Sequence, residues 1–133
     1  MKKNKNGFGV TLAACLLTIC VCGNASAQQD TRVIHLAKLQ IDPAQLESYK
    51  TALKEDIETS VRVEPGVLTL YAVSDKDHPG NVTVFEIYAD TAACKAHLET
   101  THFKKYKSAT KGMVQSLQLI DVNPLMLAAK PRG

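Results

Sequence analysis

The sequence has little cysteine that a folded domain could use. Three of its four cysteines lie within the first 22 residues, which leaves Cys94 alone in the rest of the chain. A single cysteine cannot form an internal disulfide, so the fold must be held by its hydrophobic core or by pairing with a second copy. We expect Cys94 itself to be a small buried apolar residue.

Cofactor motifs are absent as well. The chain has no Gly-rich dinucleotide-binding fingerprint, and its His, Cys and carboxylate residues show no compact metal-ligand spacing. His97 and His102 are five residues apart across a predicted helix break, and the sequence offers no evident third ligand. We therefore predict no cofactor and no metal site.

The start of the chain has the three-part layout of a secretory signal peptide. Lysines in residues 2–5 precede an almost wholly apolar run, residues 10–22, and Ala25-Ser26-Ala27 offers small residues to a signal peptidase. The apolar run is shorter than the roughly 20 residues of a membrane span. We predict a cleaved signal peptide over residues 1–27, export to the periplasm or the cell exterior, and no stable membrane span afterwards.

Two alternatives for this leader stay open. One is an uncleaved N-terminal anchor. The other is a lipoprotein, because Leu12-Ala13-Ala14-Cys15 fits a lipid-attachment box. Cys15 lies early, with more apolar sequence after it, which disfavours lipidation.

Net charge gives no support for a nucleic-acid partner. Three of the 16 basic residues and none of the 13 acidic residues lie in the leader, so residues 28–133 carry 13 of each. The basic character of the whole chain therefore belongs to the export signal. A neutral surface is not the electrostatic footprint of a nucleic-acid or membrane-surface binder.

The remaining sequence alternates between strand and helix patterns. Asp42, Pro43 and Gln45 form a helix start, and Glu64-Pro65-Gly66 ends that helix. Four strands are predicted, over 32–41, 67–74, 82–88 and 113–122, with helices from 42, from 91 and from 102.

This order, β-α-β-β-α-β, is the ferredoxin-like pattern of the α+β class, an antiparallel sheet with helices on one face. We assign the domain to 28–123 and a C-terminal tail to 124–133. In the central hairpin, alternation places Leu70 beside Phe85, and Tyr71 beside Glu86 on the second face. Helices cover one face only, so an apolar second face predicts a face-to-face homodimer.

The segment Glu86–Tyr106, together with Glu64-Pro65-Gly66 and the strand that reaches Tyr71, resembles the antibiotic-biosynthesis-monooxygenase family. In that family a strand ends in Glu-x-Tyr or Glu-x-Trp, and a helix then carries an Ala-x-x-x-His step and a Thr-x-His-Phe-like turn. The resemblance covers roughly residues 32–122. It implies a dimeric α+β barrel with a pocket between sheet and helices. For some members it also implies oxygen insertion into quinol-like aromatics without metal or flavin.

The resemblance, with the chemistry of the side chains, suggests three catalytic residues. His97 would transfer the proton, because imidazole exchanges protons near neutral pH. Glu86 and Tyr71 would position His97 or the substrate. The alternatives are structural: a buried histidine that only satisfies a neighbour, a strand carboxylate bonded to a helix start, and a core tyrosine with an exposed hydroxyl.

A second set of residues is expected to line the pocket and contact the substrate. These residues are His35, Tyr88, His102, Phe103 and Tyr106. For each of them a structural role is the alternative, as a core aromatic, a helix cap or a rim residue.

Haem degradation is disfavoured by a departure from the family pattern. Haem-degrading relatives depend on a pocket tryptophan and a late histidine, and this sequence contains no tryptophan. Tyr88 stands at the expected tryptophan position and Lys107 near the expected haem ligand.

The leading hypothesis is a cofactor-independent monooxygenase acting on a small quinol or aromatic molecule. The alternatives are a non-catalytic extracytoplasmic module that binds a small ligand, and an isomerase of a small carbonyl compound.

Overall fold

The computed structural model describes residues 30–130, so the predicted signal peptide lies outside the described residues. The strands are β1 (Val33–Ile41), β2 (Val67–Ser74), β3 (Asn81–Tyr88) and β4 (Val114–Asp121). The helices are α1 (Leu46–Val63), α2 (Thr91–Glu99) and α3 (Thr101–Thr110), with a short 3-10 turn at Pro43–Gln45 before α1.

The four strands form one antiparallel sheet in the order β2-β3-β1-β4. All three helices lie on the same face of it, which confirms the predicted ferredoxin-like α+β fold. None of the helices in the described range 30–130 has the length and apolar character needed to cross a membrane.

Local interactions fix the 3-10 turn that leads into α1 and the end of α1 itself. The Asp42 carboxylate accepts a hydrogen bond from the backbone N–H of Ala44 at 3.0 Å, and Pro43 occupies the first turn. At the other end Glu64 is extended, with its N–H bonded to the Ser60 carbonyl, and Pro65 stops further helix. The end of α1 therefore places Glu64 next to the start of β2.

The hydrophobic core has two parts. The larger part packs α1 against the middle of the sheet, through Ala37, Leu39, Ile41, Tyr49, Leu53, Val82 and Val84. The smaller part lies where β2 begins and β3 ends, and consists of Val67, Leu70 and Tyr88. A cavity described below touches both parts.

The hairpin faces differ from the sequence-based assignment. Leu70 is paired with Glu86, and Tyr71 with Phe85, so Leu70 shares the helix-covered face with Glu86 while Tyr71 lies on the opposite face. The predicted grouping of Leu70 with Phe85 is wrong. From Thr69 to Ser74 the pairing with β3 is regular, and its register is fixed by the turn over residues 75–80, which the alternation within each strand cannot reveal; a bulge lies only between Val67 and Thr69.

The face of the sheet away from the helices keeps apolar side chains in solvent. Tyr71 is 56% exposed and Val73 is 64% exposed. Beyond β4, residues 123–130 form neither helix nor strand, and Leu125 and Met126 within them are exposed.

Candidate functional site

A cavity of about 320 Å³ lies between the sheet and the three helices. Its walls are mostly aliphatic, and its polar lining residues are His35, Asp56, Glu86, Tyr88, His97 and Tyr106. Its exposed lining residues mark the side on which it opens; these are Leu98, Lys107, Leu117 and Leu119. A volume of this order suits a small organic molecule, and a few polar groups in an apolar wall are typical of ligand pockets.

At one end of the cavity, a single carboxylate joins two histidines. Glu64 Oε1 lies 3.0 Å from His97 Nδ1 and 2.6 Å from His102 Nε2. Glu64 comes from the end of α1, His97 from α2 and His102 from the first turn of α3. We refer to these three residues as the glutamate–dihistidine cluster.

The break between α2 and α3 brings the two imidazoles to that carboxylate. Thr100 ends α2 and caps α3: its hydroxyl donates to the His97 carbonyl at 2.7 Å and accepts from the Phe103 N–H at 3.3 Å. A continuous helix would place residues five apart on different faces. The Thr100 turn reorients the chain, so His97 and His102 converge.

A second close contact fixes α2 against the start of β2. A Cβ atom added to Gly66 would lie 2.4 Å from the Cβ of Ala93, so only glycine permits this approach. The Gly66 carbonyl also accepts a hydrogen bond from the Ala89 N–H at 2.9 Å. The segment Glu64–Gly66 thus supplies both the carboxylate and the space that lets α2 reach it.

The hydrogen bonds in the glutamate–dihistidine cluster determine where its protons lie. Burial acts to raise the pKa of Glu64, but the hydrogen bonds from His97 and His102 outweigh it and lower that pKa. A charged carboxylate only accepts hydrogen bonds, so His97 Nδ1 and His102 Nε2 both carry protons. In a neutral His97 ring, Nε2 is then the nitrogen with a free lone pair, and the side chain lines the cavity.

A second acid–histidine group lies on the sheet side of the cavity. The Tyr88 hydroxyl donates to Glu86 Oε2 at 3.0 Å. His35 lies between two carboxylates: its Nδ1 is 3.7 Å from Glu86 Oε2 and its Nε2 is 2.9 Å from Asp121 Oδ1. Burial raises the pKa of Glu86 despite these partners, and burial also raises the pKa of Tyr88 well above its usual range.

Aromatic rings connect the two groups along the wall of the cavity. The His97 ring centre is 5.5 Å from that of Tyr88 and 4.6 Å from that of Phe103. Tyr106 follows Phe103 at 6.1 Å, and its hydroxyl is 2.9 Å from that of Tyr49. These rings give a planar ligand stacking and edge contacts.

The structure brings most of the sequence-predicted site residues to one place. His97, Glu86, Tyr88, Phe103, Tyr106 and His35 all line the cavity. His102 is absent from this lining and is linked to it through Glu64. Tyr71 is on the opposite face of the sheet, outside the cavity. The role of each residue stays a prediction.

Sequence reasoning missed two carboxylates. Glu64 was used as part of a helix stop and of the family motif but was given no role in the site; its charge at a helix C-terminus, where the helix dipole disfavours an anion, was the available signal. Asp56 lies two helical turns earlier and is 5% exposed, and within residues 30–130 its Oδ1 is the buried side-chain oxygen without a hydrogen-bond partner. Burial raises its pKa. The signal for Asp56 was its place on the apolar side of α1, four residues from buried Ser60.

Comparison with known proteins places this fold and site in a family. Residues 32–109 match the sequence profile described as antibiotic biosynthesis monooxygenase. The matched region is more than half of the 133-residue chain. The chain belongs to the antibiotic biosynthesis monooxygenase family, which confirms the resemblance inferred from its motifs and supports a monooxygenase at the level of the family.

Several solved structures have a similar fold. A candidate antibiotic biosynthesis monooxygenase from Bacteroides thetaiotaomicron is 53% identical, with a TM-score of 0.73 over 77% of this chain and 97% of that one. A candidate monooxygenase from Lactobacillus acidophilus is 33% identical, with a TM-score of 0.67 over 68% of this chain and 43% of that longer one. A third, from Nitrosomonas europaea, is 20% identical with a TM-score of 0.67 over 71% and 99%, a likeness of fold alone. Among curated proteins none matches.

Proposed function

We propose that this protein is a cofactor-independent monooxygenase that oxidises a small quinol or related hydroxyaromatic molecule with O2. One observation carries the proposal. A cavity of about 320 Å³ in a member of this family holds His97, oriented by a charged glutamate, and Glu86, buried in the opposite wall. Both groups needed to move a proton and bind a phenol are therefore in one enclosed space.

The first step is removal of a phenolic proton by His97 Nε2. Glu64 holds the Nδ1–H at 3.0 Å, which fixes the ring orientation and stabilises the imidazolium that forms. The resulting anion is rich in electrons and reacts with O2. One oxygen atom enters the ring, the other leaves as water, and the substrate loses two hydrogens. The substrate supplies all the electrons, so the balance requires no external reductant.

Glu86 would bind a second oxygen of the substrate. Burial raises its pKa, which favours the protonated carboxyl, and a protonated carboxyl can donate a hydrogen bond to a phenolic or carbonyl oxygen. Tyr88 bonds to one carboxyl oxygen at 3.0 Å, and the other oxygen would bind the ligand. The aliphatic walls exclude water and protect the anion from premature protonation.

The same pair of groups supports a second candidate function, isomerisation of a small carbonyl compound. Enolisation needs a base near the carbon and a hydrogen-bond donor at the carbonyl oxygen; His97 and Glu86 line one cavity, and burial raises the pKa of Glu86, which favours the donor form. Isomerisation consumes no oxygen. Product analysis with and without oxygen therefore separates the two functions.

We further propose that the protein acts as an exported homodimer. The exposed apolar side chains on the uncovered sheet face, Tyr71 and Val73 among them, support pairing of two sheets. The molar mass in solution, by light scattering, tests the dimer; a Val73→Lys variant should favour the monomer. N-terminal sequencing of protein recovered outside the cytoplasm tests cleavage after residue 27.

Oxygen uptake with a panel of hydroquinones tests the catalytic proposal. We expect His97→Gln to lower kcat/KM by about 10²- to 10⁴-fold, the range for loss of a general base. His78→Gln is the matched control, because His78 is exposed in the turn between β2 and β3. Wild-type turnover at the uncatalysed rate, or equal turnover by His97→Gln, would contradict the proposal. Saturable binding of a hydroquinone without turnover would indicate that the protein is a non-catalytic ligand-binding module.

A further inference from the structure

We propose that Glu64, His97 and His102 also form a binding site for a divalent transition-metal ion of the zinc type. We further infer that a bound ion and the base function of His97 exclude each other. The binding site stands on geometry alone; the exclusion rests on the proposed function.

The three ligand atoms already converge. One atom from each side chain lies within 4.8 Å of the others, and the carboxylate oxygen is 3.0 Å and 2.6 Å from the two ring nitrogens. Ligands at about 2.0–2.2 Å from a tetrahedral zinc are about 3.3–3.6 Å apart, so the carboxylate oxygen and each ring nitrogen would need to separate by roughly 1 Å or less to admit an ion. The three residues come from three different elements, which the Thr100 turn and the Gly66 contact hold in place.

Burial distinguishes this cluster from an incidental surface group. The side chains of His97, Glu64 and His102 are 4%, 12% and 18% exposed. Side chains buried to this degree have already lost their water and most of their conformational freedom, so an ion meets a preorganised set of donors.

A second, independent observation points to a cation at this place. Asp56 is 5% exposed, and its Oδ1 has no hydrogen-bond partner in the described residues. Asp56 lines the cavity beside His97 and a smaller neighbouring pocket beside His102. A buried carboxyl group without a hydrogen-bond partner is costly, and a divalent ion in the adjacent cluster would lower that cost through a bridging water and by favouring the charged form.

The donor set selects the class of ion. Two imidazoles and one carboxylate suit zinc and its first-row neighbours, whereas calcium and magnesium prefer oxygen donors. Three protein ligands leave one position for water or another small molecule.

Metal binding would change the tautomer of His97. The ion would bind Nδ1, which now carries a proton directed at Glu64. In a neutral ring that proton then resides on Nε2, and a protonated Nε2 has no lone pair to accept a proton from a substrate. The same three side chains therefore serve either as a proton-transfer group or as a metal site.

Titration calorimetry of the full chain with Zn²⁺ in the absence of substrate is the direct test. We expect saturable binding, no comparable binding of Mg²⁺, and a loss of at least about 10-fold in zinc affinity in His102→Gln. The matched controls are His78→Gln, an exposed histidine, and His35→Gln, the histidine of the other cluster. Absence of saturable zinc binding, or equal affinity in His102→Gln, overturns the site. So does loss of binding in His35→Gln.

Two further readouts keep the test clear. Thermal unfolding shows whether each variant folds, and zinc should raise the midpoint of the wild type but not that of His102→Gln. Turnover should fall as zinc occupancy rises, and a rise would overturn the mutual exclusion. If no quinol is turned over at all, the proposed function fails, while calorimetry and unfolding still decide the metal site.

Discussion

Glu86 lines the cavity, whereas Glu64 is linked to it through His97, and the surroundings of these two glutamates shift their pKa values in opposite directions. Glu64 receives hydrogen bonds from two histidines, and its pKa is lowered. Glu86 lies within the sheet with a tyrosine and a more distant histidine as partners, and burial raises its pKa. Residue type is identical in the two places, so the difference comes from the number of donors and from burial.

This contrast in pKa supports the roles proposed for the two glutamates. A carboxylate that stays charged is suited to orient a base and stabilise the cation that forms on it, whereas a carboxyl that stays neutral is suited to donate a hydrogen bond. Pairs of titratable groups with pKa values pushed apart are a general mark of acid–base sites. In the proposed function, the helix side of the cavity would supply the base and the sheet side the hydrogen-bond donor.

The largest expected effect comes from removing the charge on the helix side. Glu64→Gln keeps the shape but cannot stabilise the imidazolium of His97, so we expect kcat/KM for quinol oxidation to fall by about 10²-fold or more. The rate of oxygen uptake with a hydroquinone measures this change in kcat/KM. Glu58→Gln is the matched control, since Glu58 is an exposed glutamate on the same helix. Unchanged kcat/KM in Glu64→Gln would mean that the two carboxylates do not differ in function.

The second effect is on the free energy of unfolding, and it concerns the close contact that holds α2 on the helix side of the cavity. Gly66→Ala places a Cβ against Ala93 and must push α2 away from β2, at a cost of about 1–3 kcal/mol in the free energy of unfolding. Gly112→Ala is the control, because no atom lies within 4 Å of its added Cβ. Urea unfolding of both variants compares them. Equal stabilities would show that the close approach is not needed to hold the helix side together.

A smaller effect should appear in the pH dependence of stability. Because the pKa of Glu86 is raised in the folded state, its contribution is fully present below the ordinary value of 4.5 and is lost as pH rises through the folded pKa. Glu86→Gln has no such proton to lose. The unfolding free energy of Glu86→Gln relative to wild type should therefore increase as pH rises above about 4.5. A difference that stays constant with pH, measured by urea unfolding, would show that Glu86 is charged like Glu64.

The fold and the place of Glu86 in the site could be predicted from the sequence, but the place of Glu64 could not. Element order, the capped turn at Asp42-Pro43 that leads into α1, and the family motifs predicted the architecture, because they depend on neighbours in sequence. His97 and Glu86 were recognised from the motif. Glu64 was not, since its partners are 33 and 38 residues away and depend on the Thr100 turn. Tyr71 was grouped with Glu86 on one face, whereas the structure pairs Tyr71 with Phe85 and puts Glu86 on the helix-covered face; this register depends on the turn over residues 75–80 and not on the alternation within each strand.

The smallest expected effect concerns this same tyrosine. Tyr71 was predicted to be catalytic, but its ring is 56% exposed on the uncovered face and is paired with Phe85. Tyr71→Phe removes only the hydroxyl, so kcat/KM should stay within about twofold of wild type, as for most exposed substitutions. Tyr88→Phe provides the contrast, because it removes the hydrogen bond to Glu86 within the cavity. A larger loss of kcat/KM in Tyr71→Phe than in Tyr88→Phe would mean that the uncovered face supplies a catalytic group. The pairing of a base on the helix side with a donor on the sheet side of one cavity would then be incomplete.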